Sequence, residues 1–154
     1  MKHTAFLALG SNLGDREHYL RFAVTELGDV TAMSQVFETE PIGGPDAQGA
    51  YLNMVVKMET LLDPYELMRH FQRIEEEASR QRDVHWGPRT LDIDLLFYDD
   101  VHIVSDTLII PHPLTFERRF VLAPLCELAP ELCPAGWEKE LPPAEVIPRG
   151  ALQL

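Results

Sequence analysis

The 154-residue chain reads as an α+β protein, a largely antiparallel sheet with helices packed on it, on three observations. Short apolar runs of strand character alternate with stretches whose apolar residues recur at helical spacing. Start and stop signals bracket the two clearest helical stretches. The resulting order, strand-helix-strand-strand-helix-strand, is that of a split βαβ, a ferredoxin-like βαββαβ sandwich with its helices on one face.

His3 to Leu9 reads as a buried first strand, ended by the turn-rich Gly10-Ser11-Asn12-Leu13-Gly14. Asp15 is placed to cap a helix running to about Leu27, with Gly28 as its stop. A second strand is expected over roughly Val30 to Thr39. Pro41 to Gly49 holds three glycines and two prolines and must be a loop. Tyr51 to Thr60 alternates as a third strand. For the second helix, Asp63 serves as N-cap, Pro64 as the first helical residue and Glu66 completes a capping box. Leu67, Phe71, Ile74 and Ala78 then face the core, while Gln72 and Glu75 lie three apart on a flanking stripe. Residues 80 to 90 read as a loop and Leu91 to Tyr98 as the central strand. A turn at Asp99-Asp100 leads to a hairpin-like return through Ile103 and Leu108 to Ile110. Glu117 to Leu128 looks helical but interrupted by Pro124, and the proline-rich last stretch carries no assigned structure.

A content of 45% hydrophobic and 25% charged residues is ordinary for a soluble domain, and residues 1–154 are expected to form one. A net charge of −12 argues against nucleic acid, which needs a basic footprint. Any polyphosphate site must therefore concentrate its positive charge. Five of the thirteen basic residues do cluster, at Arg80, Arg82, Arg89, Arg118 and Arg119. No apolar run approaches the ~18 residues of a membrane span, and the opening segment is too soon interrupted for a secretory signal. Cys126 and Cys133 sit in no metal-binding pattern, so reduced thiols in a cytoplasmic protein are expected. Both ends read as natural domain ends, and a stand-alone monomer is expected.

The chemistry centres on Trp86-Gly87-Pro88-Arg89-Thr90-Leu91-Asp92-Ile93-Asp94. On a strand, Asp92 and Asp94 point to the same face. Two carboxylates so placed resist joint burial unless a cation sits between them. Such hard oxygen ligands suit Mg²⁺ held together with substrate phosphates, and Arg80, Arg82 and Arg89 stand beside them to meet those phosphates. A charged strand end is the plain alternative for an isolated Asp-x-Asp, and the neighbouring arginines argue against it.

Taken together, the residues resemble the 6-hydroxymethyl-7,8-dihydropterin pyrophosphokinase family. The resemblance rests on Ala8 to Asp15, Tyr51-Leu52-Asn53, Trp86 to Asp94, Ile110-Pro111-His112-Pro113, Arg118, Phe120-Val121-Leu122 and Pro124-Leu125, in that order along nearly the whole chain. It implies transfer of the β,γ-diphosphate of ATP to the hydroxymethyl oxygen of the dihydropterin, with release of AMP, in folate biosynthesis. Asp92 and Asp94 would hold two Mg²⁺ ions, and Arg82 and Arg89 would act catalytically on the phosphates. Gln72, Glu75, Leu95, His112 and Arg118 would complete the ATP site. Tyr51 and Phe120 would stack the pterin and Asn53 read its edge, with Thr39, Ile42 and Asp92 completing that pocket. Trp86 would serve as a lid residue over both substrates. Departures fall at His85, Thr107, Pro113 and Arg119, and an extra glycine between Glu40 and Ala50 puts contacts from Glu40 and Gly43 in doubt; Thr107 is assigned no role.

Two rival classes compete. A non-catalytic nucleotide- or pterin-binding module of the same fold need not assemble Asp92 and Asp94 beside Arg82 and Arg89. A metal-dependent phosphohydrolase would want further His or carboxylate ligands, whereas His3, His18, His70 and His102 are scattered.

Overall fold

Chain direction and pairing follow from a few local signals that the computed structural model resolves for residues 2–12, 15–39, 50–80 and 90–154. The elements are β1 (His3–Ser11), α1 (Arg16–Leu27), β2 (Val30–Met33), β3 (Phe37–Thr39), β4 (Tyr51–Thr60), α2 (Pro64–Arg80), β5 (Asp92–Tyr98), β6 (Ile103–Val104), β7 (Ile109–Ile110), α3 (Arg119–Leu128), α4 (Trp137–Glu140) and β8 (Val146–Pro148). Asp15 caps α1 by accepting the His18 N–H, and Gly28 takes the positive φ of 86° that ends it. The α2 capping box is complete: Glu66 N–H donates to Asp63 at 2.8 Å and Asp63 N–H donates to Glu66 at 3.0 Å.

The main sheet runs β5-β1-β4-β3-β8, with β2 also pairing β4, and every pairing is antiparallel. The helices α1 and α2 share one face, as expected of the βαββαβ core. Leu20, Ala23, Leu67 and Phe71 pack there on Ala5, Leu7 and Leu9. The later α3 covers the opposite face, where Val121, Leu122 and Leu125 meet Val55 and Leu96. Each buried Leu or Phe of these two layers contributes about 1.5–3 kcal/mol.

Several boundaries differ from the sequence expectation. The strand expected from Val30 to Thr39 is broken into β2 and β3, because Ser34 turns its hydroxyl inward to accept the Val55 N–H at 3.0 Å. The stretch read as central begins at Asp92 and, among the described residues, forms an edge that pairs with β1 alone within that sheet. Arg80 belongs to the last turn of α2, bound to Glu77 at 2.7 Å, rather than to a phosphate-facing loop. The helix expected from Glu117 begins at Arg119 and passes through Pro124, which lacks an N–H for the Phe120 carbonyl. The C-terminal stretch supplies β8, paired with β3.

Cys126 and Cys133, expected as thiols, are joined in a disulfide. The chain folds back through a 3-10 turn at Pro130–Leu132 directly after α3, and this brings their Cα atoms to 5.9 Å, inside the bridging range.

One irregularity shapes β5. Leu7 opposes Leu95 while Phe6 opposes Phe97, so Leu96 is an extra residue. Asp94 lies opposite Ala8 and Asp92 opposite Gly10, on the α3 side; beyond the bulge, Tyr98 returns to the α1–α2 side and donates its hydroxyl to Leu62 O at 2.6 Å.

Candidate active site

The three strands β4, β1 and β5 present two cross-strand rows on the face of α3. Asn53, Gly10 and Asp92 form one row; Val55, Ala8 and Asp94 form the next. The middle members are the smallest residues available, so the rows leave a shallow floor between an amide and a carboxylate pair. A Cβ on Gly10 would stand 3.2 Å from Asn53 Oδ1 and 3.9 Å from Tyr51 Cδ1, a close approach that only glycine accommodates freely. Asn53 is held by donating its Nδ2–H to Thr39 Oγ1 at 2.8 Å, and both are buried. Burial chiefly, and the Asp92 charge second, push the Tyr51 phenol above its ordinary pKa. Tyr51 thus stands neutral within reach of the acidic pair.

On the outer side of β5 lies a cleft of about 370 Å³, walled by α2 (Met68, Phe71, Gln72, Glu75), by Ile93, Asp94 and Leu95, and by Ser105 to Ile109 with His112 and Pro113. An edge strand leaves main-chain groups unpaired by the sheet, and here side elements take them up. Glu75 accepts the Ile93 N–H at 2.9 Å, and His112 N–H donates to Leu96 O at 3.1 Å. Just upstream, the Ser11 hydroxyl donates to Thr90 O at 2.6 Å in a fully buried contact. The start of β5 is therefore fastened from both sides.

His112 Nδ1 accepts the Leu114 N–H at 3.2 Å, which assigns the neutral ring's proton to Nε2. That nitrogen faces Asp94 Oδ1 at 3.9 Å. The side chain of Asp94 is 47% exposed, so its charge is open to a partner from solution. Among the described residues no cluster of three or more His, Cys, Asp or Glu side chains is placed to hold a metal ion. Asp92 and Asp94 instead offer hard oxygens suited to an ion that completes its shell from phosphate and water, and in that sense they fit Mg²⁺.

The structure brings Gln72, Glu75, Leu95 and His112 into one cleft with Asp94, and Thr39, Tyr51 and Asn53 together beyond Asp92. Phe120 opens α3 with the Arg118 guanidinium 5.4 Å from its ring centre. Ile42, Arg82, His85, Trp86 and Arg89 lie outside the described residues. Sequence reasoning missed Met68 and the Ser105–Ile109 wall, including Thr107, because nothing in short mixed runs signals which cavity they line. It also missed the Thr39 side chain as the anchor of Asn53.

An acidic pair beside a cleft on one side and Tyr51 and Asn53 on the other, on a ferredoxin-like sheet, fits the class of metal-assisted phosphoryl-group transferases. The chain belongs to the 7,8-dihydro-6-hydroxymethylpterin-pyrophosphokinase (HPPK) family, whose model matches residues 6–130. It is 46% identical to 2-amino-4-hydroxy-6-hydroxymethyldihydropteridine pyrophosphokinase of Bacillus subtilis, over 97% of this chain and 89% of that one. With the same-named protein of Aquifex aeolicus it shares 38% identity, over 90% of this chain and 88% of the relative. A crystal structure of Plasmodium falciparum HPPK-DHPS superposes with a TM-score of 0.70 at 17% identity, over 85% of this chain and 42% of the larger one, and shows the shared fold. As a family member the chain is a pyrophosphokinase, a diphosphotransferase of folate biosynthesis. Among the described residues no helix is long and apolar enough to cross a membrane.

Proposed function

We propose that residues 1–154 act as one pyrophosphokinase unit that moves the β,γ-diphosphate of Mg-ATP to the hydroxymethyl oxygen of 6-hydroxymethyl-7,8-dihydropterin and releases AMP. The observation that carries this reading is the row Asn53, Gly10, Asp92. It sets a base-reading amide two strand spacings, across β1, from an acidic ligand pair whose other flank opens on the outer cleft.

In this reading Gln72, Glu75 and Leu95 bind the nucleoside in the cleft, while Tyr51 and Phe120 sandwich the pterin and Asn53 and Thr39 orient it. Ile42 contributes through its backbone and Trp86 covers both substrates. Asp92 and Asp94 hold two Mg²⁺ ions, which when bound neutralise phosphate charge and help align the attacking oxygen. Arg82, Arg89, Arg118 and the Nε2–H of His112 donate to phosphate oxygens. Because His112 Nδ1 is already occupied by Leu114, the ring serves as a donor and not as a base. Positioning and charge neutralisation then carry the reaction, as phosphoryl-type transfer requires. We read the protein as a cytoplasmic monomer that does not engage nucleic acid, in keeping with its charge of −12.

The test is to incubate the protein with Mg-ATP, with and without the hydroxymethyl dihydropterin, and identify the nucleotide formed. AMP made only with the pterin supports the reading. ADP, or hydrolysis without pterin, overturns it, and binding of both substrates without turnover would point to a non-catalytic module. Replacing Asp94→Ala should collapse turnover far more than it weakens pterin binding.

A further inference from the structure

Arg16 opens α1, on the sheet face opposite the pterin pocket, and no step of the proposed reaction uses it. Its Nη1 nevertheless donates to Glu38 Oε2 at 2.9 Å and to Ala50 O at 2.6 Å. Glu38 is the middle residue of β3, and Ala50 directly precedes Tyr51 of β4. Among the described residues these two strands pair Phe37 with Asn53, Glu38 with Leu52 and Thr39 with Tyr51. The pairs carry the stacking tyrosine, the reading amide and the threonine that holds it.

A second arginine reaches the same glutamate. Arg149, just past β8, reaches Glu38 Oε1 through Nη2 at 2.5 Å and through Nε at 3.0 Å. Its main-chain N–H donates to Val36 O, and Val36 N–H donates to Gly150 O, both at 2.8 Å. The Glu38 carboxylate thus sits between two guanidinium groups, each on its own oxygen. Its side chain is only 20% exposed, so these charge-assisted bonds are shielded in part from water. The Arg149 bond first, and the Arg16 bond second, hold the Glu38 carboxyl below the usual carboxylate range.

We infer that Arg16 is a positioning residue for pterin binding: with Arg149 it locks Glu38 and Ala50 together and so fixes the spacing of Thr39, Tyr51 and Asn53 on the far face of the sheet. This rests on the assignment of those three residues to the pterin. A merely structural role would weaken both substrates alike. A positioning role is selective, because Arg16 bonds to Glu38 of β3 and to Ala50 before β4, whereas the outer cleft is lined by α2, β5 and the Ser105–Ile109 wall.

The experiment compares wild type with Arg16→Gln, Arg16→Lys and Glu38→Gln. Losing a charge-assisted bond at the pocket edge should raise the KM for the pterin about tenfold in Arg16→Gln, with the KM for ATP and kcat nearly unchanged. Arg16→Lys, which keeps a donor in reach of one acceptor, should recover part of the effect, and Glu38→Gln should fall between. An unchanged pterin KM in Arg16→Gln, or a parallel rise for both substrates, overturns the proposal. Amide hydrogen exchange gives a readout that needs no ligand: protection of residues 51–53 should fall in Arg16→Gln while that of Ala5 to Leu9 holds. Unchanged protection at 51–53 likewise overturns it. A wild-type protein that keeps this exchange pattern but binds no pterin would instead sink the functional reading and leave the clamp standing.

Discussion

The Glu75 carboxylate on α2 accepts the main-chain N–H of Ile93 at 2.9 Å, and Ile93 is the residue between Asp92 and Asp94. An edge strand has no second neighbour in its sheet to fix its outward groups, so this bond helps determine where the two aspartates stand.

Glu75→Ala should therefore damage metal use as well as nucleotide binding. A hydrogen bond to a charged acceptor contributes ~1.5–3 kcal/mol, so kcat/KM for ATP should drop about 10- to 100-fold. The Mg²⁺ concentration for half-maximal activity should rise. Glu75→Gln keeps an acceptor oxygen and should lose less, and a magnesium titration of the three proteins checks the order.

Gly10→Ala should impair the pterin side alone. Alanine in place of a strand glycine ordinarily stabilises by about 0.5–1 kcal/mol. Here the new methyl would meet Asn53 Oδ1 at 3.2 Å and press on the amide that Thr39 holds. Steady-state kinetics should show a several-fold higher KM for pterin and an unchanged KM for ATP, with urea unfolding altered by less than ~1 kcal/mol.

His112 separates structure from chemistry. Its Nδ1 secures the Leu114 N–H, whereas Nε2 points at the acidic pair. His112→Asn keeps an acceptor near the Nδ1 position and removes the distal donor. It should fold with near-wild-type stability and lose about 10- to 100-fold in turnover. His112→Ala should lose both, seen by comparing melting temperature with kcat.

Acid sensitivity should trace in part to Asp99. Its carboxylate accepts the Thr4 N–H at 2.8 Å and lies 2.7 Å from His3 Nδ1. The Thr4 bond first, and His3 second, hold its pKa below the ordinary value of about 3.9. A depressed folded-state pKa adds stability that is present above the unfolded value and is lost as pH falls through the folded one. Asp99→Asn should thus be less stable than wild type at pH 7, with the gap closing below about pH 4. Asparagine tolerates the positive φ of 47° at this position, so the substitution isolates the charge. Urea midpoints across pH measure the gap.

Legibility in the sequence followed the range of the forces involved. Asp15, Asp63 and Glu66 act within one helical turn, and the boundaries they mark were readable directly. The shared face of Asp92 and Asp94 was readable from strand alternation. The break at Ser34 was not, because it depends on Val55, far along the chain. Nor was the edge position of β5, since apolar runs of central and covered edge strands look alike. The outer cleft needed a wall from Ser105 to Ile109 whose place is set by tertiary packing. The disulfide depended on a fold-back after α3 that cysteine spacing does not announce.

The extra residue at Leu96 makes β5 two half-strands of opposite phase. Upstream of it, even-numbered positions face α3 and the chemistry; downstream, Tyr98 faces the helices and the packing. Deleting Leu96 would merge the phases and force a choice between rotating the aspartates away from Gly10 and turning the Tyr98 hydroxyl from Leu62. With it in place, the apolar end of the strand can be repacked without re-aiming the carboxylates, so stability and catalysis can drift independently on a single strand.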